Sequence, residues 1–295
     1  MKAAKTWALV LMGGGARGLA HVGVLRVLAG EGLVPDVVAG TSMGAIVGGF
    51  YAAGVSAAEM TEMIAGPRKA ATASGAPVRR LFQRPGNVFE YVIAADTKNR
   101  LLGRLAGKAA DKKDAVEAYL RKCVGAARIE DLPVKFLCNA VDLVTGREIV
   151  LAQGRLSRAI RASMSLPLVF APVRMGRMLL IDGGVLNSAP VEAARAAGAE
   201  VAVLVDVHRP IDRLPAARIR TAFQVVQRTA EVVAADSYAE RARRADFVVR
   251  VPVDAGLLEF SKAARIADEG ERAAAANLAA LKTVIGAGPR AVSPS

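Results

Sequence analysis

Hydrophobic residues fall along this chain in short solid blocks that alternate with longer periodic ones. Residues 7–12 (WALVLM) are an unbroken apolar run, the pattern of a strand buried on both faces. From Leu19 onward Val22, Leu25, Val27 and Leu28 follow a helical period, and glycines at 30 and 32 end that helix. Residues 36–40 (DVVAG) predict a second short strand. MGAIVGGFYAAG predicts a second helix whose small residues permit close packing. Strand, helix, strand, helix is the order of a parallel sheet with helices on its faces.

Further along, residues 56–65 and 115–123 read as helices, and 134–141 and 148–151 as strands flanking a Thr-Gly turn. Residues 156–164 form a helix halted before Pro167, and 173–181 a hairpin turning at Gly176. PVEAARAAGAE opens on a proline, whose missing N–H costs nothing at a helix start. EVAVLVDVH is another buried strand. A helix over about 216–244 carries Ile219, Phe223, Val226, Ala230 and Val233 on one face. DFVVRVPV is the last strand, a closing helix begins near Ser261, and GAGPRAVSPS is a fraying tail. No internal repeat or interdomain linker interrupts this order. The expected organisation is one domain over 1–295: a core over 8–207 with an insertion at 66–113, then a C-terminal helical region over 208–295 with one strand.

Composition changes this picture in two places. The 295 residues are 53% hydrophobic, enough for a large core. The net charge of +13 is concentrated: residues 66–113 hold eleven Lys or Arg against Glu90, Asp96 and Asp111, a local excess of +8. Such density suits nucleic acid, an anionic lipid surface where each nearby Lys or Arg contributes roughly 1 kcal/mol, or a solvated insertion with no partner. Two cysteines, Cys123 and Cys138, exclude a disulfide framework, and Cys138 in VKFLCNAV reads as a buried core thiol. Two histidines and two scattered cysteines supply no zinc site, and no metal or cofactor is expected. The first apolar run is too short for a signal-peptide core or a membrane span. The protein is therefore expected in the cytoplasm, peripheral to the inner membrane surface if it meets a membrane at all.

The candidate chemistry begins at the end of the first strand. GGGARG matches G-x-G-x-x-G at Gly13, Gly15 and Gly18 and exposes backbone N–H groups to negative charge. A dinucleotide site also requires an acidic residue at the end of the second strand, about twenty residues on. That position holds Ser42 instead, in the G-x-S-x-G sequence Gly40-Thr41-Ser42-Met43-Gly44. A serine on a sharp strand-to-helix turn has strained dihedrals, and its neighbours two residues away must be small. The two glycine motifs follow adjacent strands, so their tips converge. The charge awaited by the loop is then a transient oxyanion on an acyl group attacked by Ser42.

The serine needs a base. Asp182 follows MLLI and precedes Gly183 and Gly184; His208 follows VAVLVDV; His21 lies in the first helix. Two schemes fit: a triad of Ser42, Asp182 and His208, or a dyad in which Asp182 takes the proton itself.

GGGARG, GTSMG and DGG, in this order, resemble the three signature blocks of patatin-like phospholipases, and RGLAHVGVLRVL and RASMSLPLVFAPV fit bacterial members. The resemblance covers roughly residues 8–207; Ser165 stands where the family more often has alanine. It implies a three-layer α/β/α fold with a mainly parallel sheet, a Ser42–Asp182 dyad and an acyl-enzyme. It also implies an oxyanion hole from the backbone of Gly13, Gly14, Gly15, Ala16, Arg17 and Gly18, with Gly14 and Gly15 as principal donors. His21 becomes a packing residue, and Arg17 either holds the loop or meets an anionic headgroup. The implied activity is hydrolysis of fatty-acyl esters of membrane lipids, without nucleic acid. Thioester hydrolysis or acyl transfer would share the acyl-enzyme, and a membrane-associated adaptor is the non-enzymatic alternative. The basic insertion at 66–113 is read as a cap resting on anionic membrane.

Overall fold

A computed structural model describes residues 5–65, 115–167, 169–209, 215–221, 224–225, 228–229, 232–233, 238 and 240–287. The basic segment at 66–113 lies outside the described residues, as does much of the stretch from 216 to 244. The helix expected from about 216 does not begin there: Ala216–Arg218 is a 3-10 turn and residues 219–221 are non-helical, which takes Ile219 off the expected face. The residues described between Gln224 and Ala242 are helical, and Val233 is exposed.

The centre is one mixed sheet. Strands β1 (Trp7–Leu11), β2 (Val37–Gly40), β3 (Lys135–Asp142), β4 (Arg147–Leu151), β5 (Val173–Met175), β6 (Met178–Asp182), β7 (Val201–Asp206) and β8 (Phe247–Arg250) follow one another in the chain. In space the order is β5-β6-β3-β2-β1-β7-β8, with β4 also paired to β3. The five strands from β3 to β8 run parallel; β4, β5 and β6 are antiparallel additions. Strands β1, β2 and β7 are buried throughout, which is why they read as solid apolar runs.

Helices α1 (Ala20–Gly30), α2 (Met43–Ala52), α3 (Ala57–Ala65), α4 (Ala115–Val124), α5 (Leu156–Ser163), α6 (Val191–Ala196) and α7 (Ala263–Ile285) cover this sheet on both faces. On one face Gly48 of α2 lies against Leu11, Val38 and Phe136. Residues of opposite parity point the other way: Lys135 donates its ammonium to the Ala197 carbonyl, at the end of α6. The result is the expected α/β/α layering.

The C-terminal region is built onto the core, since β8 extends the sheet beside β7 and α7 packs on α1. Two glycines permit that helix crossing. A Cβ on Gly23 would stand 1.8 Å from the Ala267 carbonyl oxygen, and one on Gly270 would stand 1.9 Å from that of Ala20.

The hairpin at Gly176 is present, with φ of 60° at that glycine. The first helix differs from expectation at its start: a 3-10 turn, Gly15–Leu19, precedes α1, because the glycine loop must tighten before the helix can begin. All the parallel strands end at one edge of the sheet, and the glycine loop, the serine turn and Asp182 gather there.

Candidate active site

Ser42 is the sole non-glycine residue with positive φ among the described residues, at φ 55° and ψ −117°. Such a conformation costs of order 1–3 kcal/mol and persists where its surroundings impose it. Here the surroundings do so. A Cβ on Gly40 would lie 2.4 Å from the Gly44 carbonyl oxygen, and one on Gly44 would lie 2.0 Å from that of Leu11. Strand β2, helix α2 and strand β1 can approach this closely only with both glycines. The Ser42 N–H donates to Ser163 Oγ at 3.0 Å, and the Thr41 N–H donates to the Leu11 carbonyl at 3.2 Å.

Asp182 ends β6 and is 3% exposed. Its Oδ2 accepts the Ser42 hydroxyl at 2.6 Å, and its Oδ1 accepts the Gly184 N–H at 2.7 Å. Its own N–H donates to the Ser165 carbonyl at 3.0 Å. Burial pushes this carboxyl up to about 6; the hydrogen bonds from Ser42 and Gly184 oppose that rise. Gly183 is required beside it, since a Cβ there would meet Asn139 Oδ1 at 2.4 Å.

The glycine loop is held from two sides, and this narrows the expected set of oxyanion donors. The Gly13 N–H donates to the Ser188 carbonyl and the Ala16 N–H to the Leu257 carbonyl, both at 2.8 Å. Those two amides are occupied. The N–H groups of Gly14 and Gly15 have no acceptor among the described residues. Gly15 sits at φ 57°, and a Cβ on it would stand 2.1 Å from the Leu257 oxygen. Gly18 serves packing: a Cβ there would strike the Met43 side chain at 2.7 Å. The Met43 N–H, at the start of α2, likewise has no acceptor among the described residues.

The histidines stand apart from this pair. His21 is fully buried and donates from Nε2 to the Met12 carbonyl at 2.7 Å; burial lowers it to about 4, so it stays neutral. His208 stacks on Tyr238 with ring centroids 4.1 Å apart, and its backbone N–H caps Asp206 Oδ1 at 2.7 Å. Burial lowers its pKa, Asp206 opposes the shift, and the charge of Arg17 adds to it. Both Asp182 oxygens are taken by Ser42 and Gly184, so the structure brings serine and aspartate together directly.

Sequence reasoning missed the support behind the serine turn. Thr41 Oγ1 donates to Asn139 Oδ1 at 2.7 Å, and Asn139 Nδ2 donates to Glu148 Oε1 at 2.7 Å and the Asn187 carbonyl at 2.8 Å. Asn187 Nδ2 closes the set on Glu148 at 2.9 Å. The available signal was an asparagine inside the apolar run FLCNAV, since a polar residue in a buried strand must find partners. Among the described residues no cluster of His, Cys, Asp and Glu could hold a metal, and no helix is long and apolar enough to cross a membrane.

Comparison with known proteins adds the context. An NTE family protein of Mycobacterium tuberculosis is 34% identical over 207 residues, 70% of this chain and 31% of that protein. The protein named Lysophospholipase NTE1 in Candida albicans is 31% identical over 70% of this chain and 13% of its own length. The chain thus spans less than a third of these relatives. Among solved structures, VipD from Legionella pneumophila aligns with a TM-score of 0.49 and 12% identity, over 92% of this chain and 67% of that one. The family model described as patatin-like phospholipase matches residues 9–195, which include the glycine loop, the serine turn and Asp182. A match over more than half of its length establishes that the chain belongs to the patatin-like phospholipase family.

Proposed function

We propose that the protein is a serine acyl hydrolase that cleaves fatty-acyl esters of membrane lipids, with single-chain glycerophospholipids as its first candidate substrates. The observation that carries this reading is the 2.6 Å hydrogen bond from Ser42 Oγ to Asp182 on a strained turn; the Gly14 and Gly15 N–H groups, which have no acceptor among the described residues, support it. Family membership and the lysophospholipase names of the relatives support the substrate class.

In the proposed reaction Ser42 Oγ attacks the ester carbonyl carbon while its proton passes to Asp182. The carbonyl oxygen becomes an oxyanion facing the Gly14 and Gly15 N–H groups. Collapse of the tetrahedral species expels the alcohol, which takes the proton from Asp182, and leaves the acyl group on Ser42. Water then attacks that ester by the same route and releases the fatty acid. An ordinary aspartate is a weak base for a hydroxyl. Raised to about 6, Asp182 is a stronger one, yet at pH 7 it remains ionised by about ten to one.

The test is fatty-acid release from lysophosphatidylcholine by the intact chain and by Ser42→Ala, Asp182→Asn and His208→Ala. The first two should lose at least about 10³-fold in rate. The third should stay within about threefold, well under the ~1.4 kcal/mol that a tenfold change represents. A dead His208→Ala enzyme would restore the triad and overturn the dyad.

A further inference from the structure

The active edge of the sheet carries two hairpins that the chemistry does not use. Asp182 lies opposite Ala140, so β3 runs on past the level of Asp182. The β3–β4 turn begins at Leu143, three residues past Ala140, which is about 10 Å at ~3.3 Å per residue. The β5–β6 turn, at Gly176 and Arg177, rises beside it. Both tips therefore project beyond Ser42 and Asp182 on the side from which substrate must come.

The first tip is apolar and exposed: Leu143 is 51% and Val144 67% exposed. It is also rigid. Buried Asp142 accepts the Leu179 N–H and the Thr145 hydroxyl at 2.9 Å each and the Val144 N–H at 3.2 Å. The Leu143 N–H donates to the Leu179 carbonyl at 2.9 Å, which ties one hairpin to the other. These hydrogen bonds fix the turn through Asp142 and the backbone, so the fold does not require apolar side chains at its apex. Arginines flank it: Arg147, Arg174 and Arg177 are exposed and have no carboxylate partner among the described residues. A rigid apolar apex ringed by cations matches an anionic bilayer, whose headgroups pair with arginine while its acyl region accepts Leu and Val. A tip already ordered loses little further entropy on docking.

We propose that the Leu143–Val144 hairpin, with Arg147 and Arg177, docks the protein on an anionic phospholipid surface and presents the mouth of the active site to lipid. This rests on the acyl-hydrolase reading for its purpose but not for its test. Sedimentation with phosphatidylglycerol–phosphatidylcholine vesicles is done in the Ser42→Ala background, where no hydrolysis alters the membrane. Adding Leu143→Ser with Val144→Ser should weaken binding about tenfold, with salt sensitivity retained. Adding Arg147→Gln with Arg177→Gln should weaken binding to anionic vesicles and flatten its salt dependence. Thermal melts check that each variant is folded. Binding equal to the parent in both double variants would overturn the proposal, as would equal binding to neutral vesicles or none to anionic ones. Hydrolysis of 4-nitrophenyl butyrate by the Ser42-intact chain separates the two readings. Intact hairpin-dependent docking without esterase activity sinks the hydrolase reading alone; esterase activity with hairpin-independent docking sinks this one alone.

Discussion

Asp182 should make the wild-type fold less stable than its inert Asn variant, and only above about pH 4. The folded carboxyl holds its proton up to about pH 6, whereas an unfolded aspartate releases it near 3.9. Between these values the native chain binds the extra proton. Stability therefore falls as pH rises from about 4 to about 6, and stays low above it. Raising this carboxyl from the ordinary value near 4 to about 6 corresponds to roughly 3 kcal/mol. Asp182→Asn removes the buried charge and retains both hydrogen bonds: the amide oxygen accepts from the Gly184 N–H, and the amide nitrogen donates to Ser42 Oγ. The variant should melt higher by about 2–6 °C at pH 8, and by nothing measurable at pH 4, while it loses catalysis. Thermal melts of both proteins across pH 4–8 make the comparison. A difference that does not vary with pH would refute the reasoning, because it would locate the effect in packing rather than in a buried charge. In the active enzyme the same group should give kcat/KM an acid limb near pH 6.

Gly44→Ala should destabilise the protein at or beyond the upper end of the ~1–3 kcal/mol overpacking range, because the new methyl meets the Leu11 carbonyl oxygen at 2.0 Å; denaturant melts report it. Gly23→Ala should do the same by forcing α1 away from Ala267 of α7, while the Ser42–Asp182 hydrogen bond, held by β2 and β6, stays in place. Asn139→Ala removes the 2.7 Å acceptor of Thr41 Oγ1 and leaves it only the longer 3.3 Å contact with the Asn187 carbonyl, which costs about 1 kcal/mol or more. Its signature is a fall in kcat with little change in KM, since the serine turn and not the substrate loses its support; an unchanged kcat would refute that role.

Much of the chain could be read without coordinates. Buried parallel strands betray themselves as solid apolar runs, so β1, β2 and β7 were legible from residues such as Leu9, Val38 and Val203. Local steric rules made Gly40 and Gly44 meaningful in sequence, because a serine turn cannot tolerate bulk at those positions wherever it occurs. The proposed oxyanion donors were legible only in part. The loop composition marks all six residues from Gly13 to Gly18, but Ser188 and Leu257, distant in sequence, occupy two of the N–H groups.

What the sequence by itself determined is what local physics controls: the strand and helix periods, the strained serine turn and the glycines that permit it. Only the tertiary structure decided the rest, because it depends on pairings across the sheet. Register places Asp182 opposite Ala140 and so within 2.6 Å of Ser42 Oγ, leaving His208 stacked on Tyr238. Burial sets how basic that carboxyl becomes. The Asn139, Asn187 and Glu148 support and the Asp142 stitch between two hairpins join residues 9 to 48 positions apart, a separation at which no spacing rule operates.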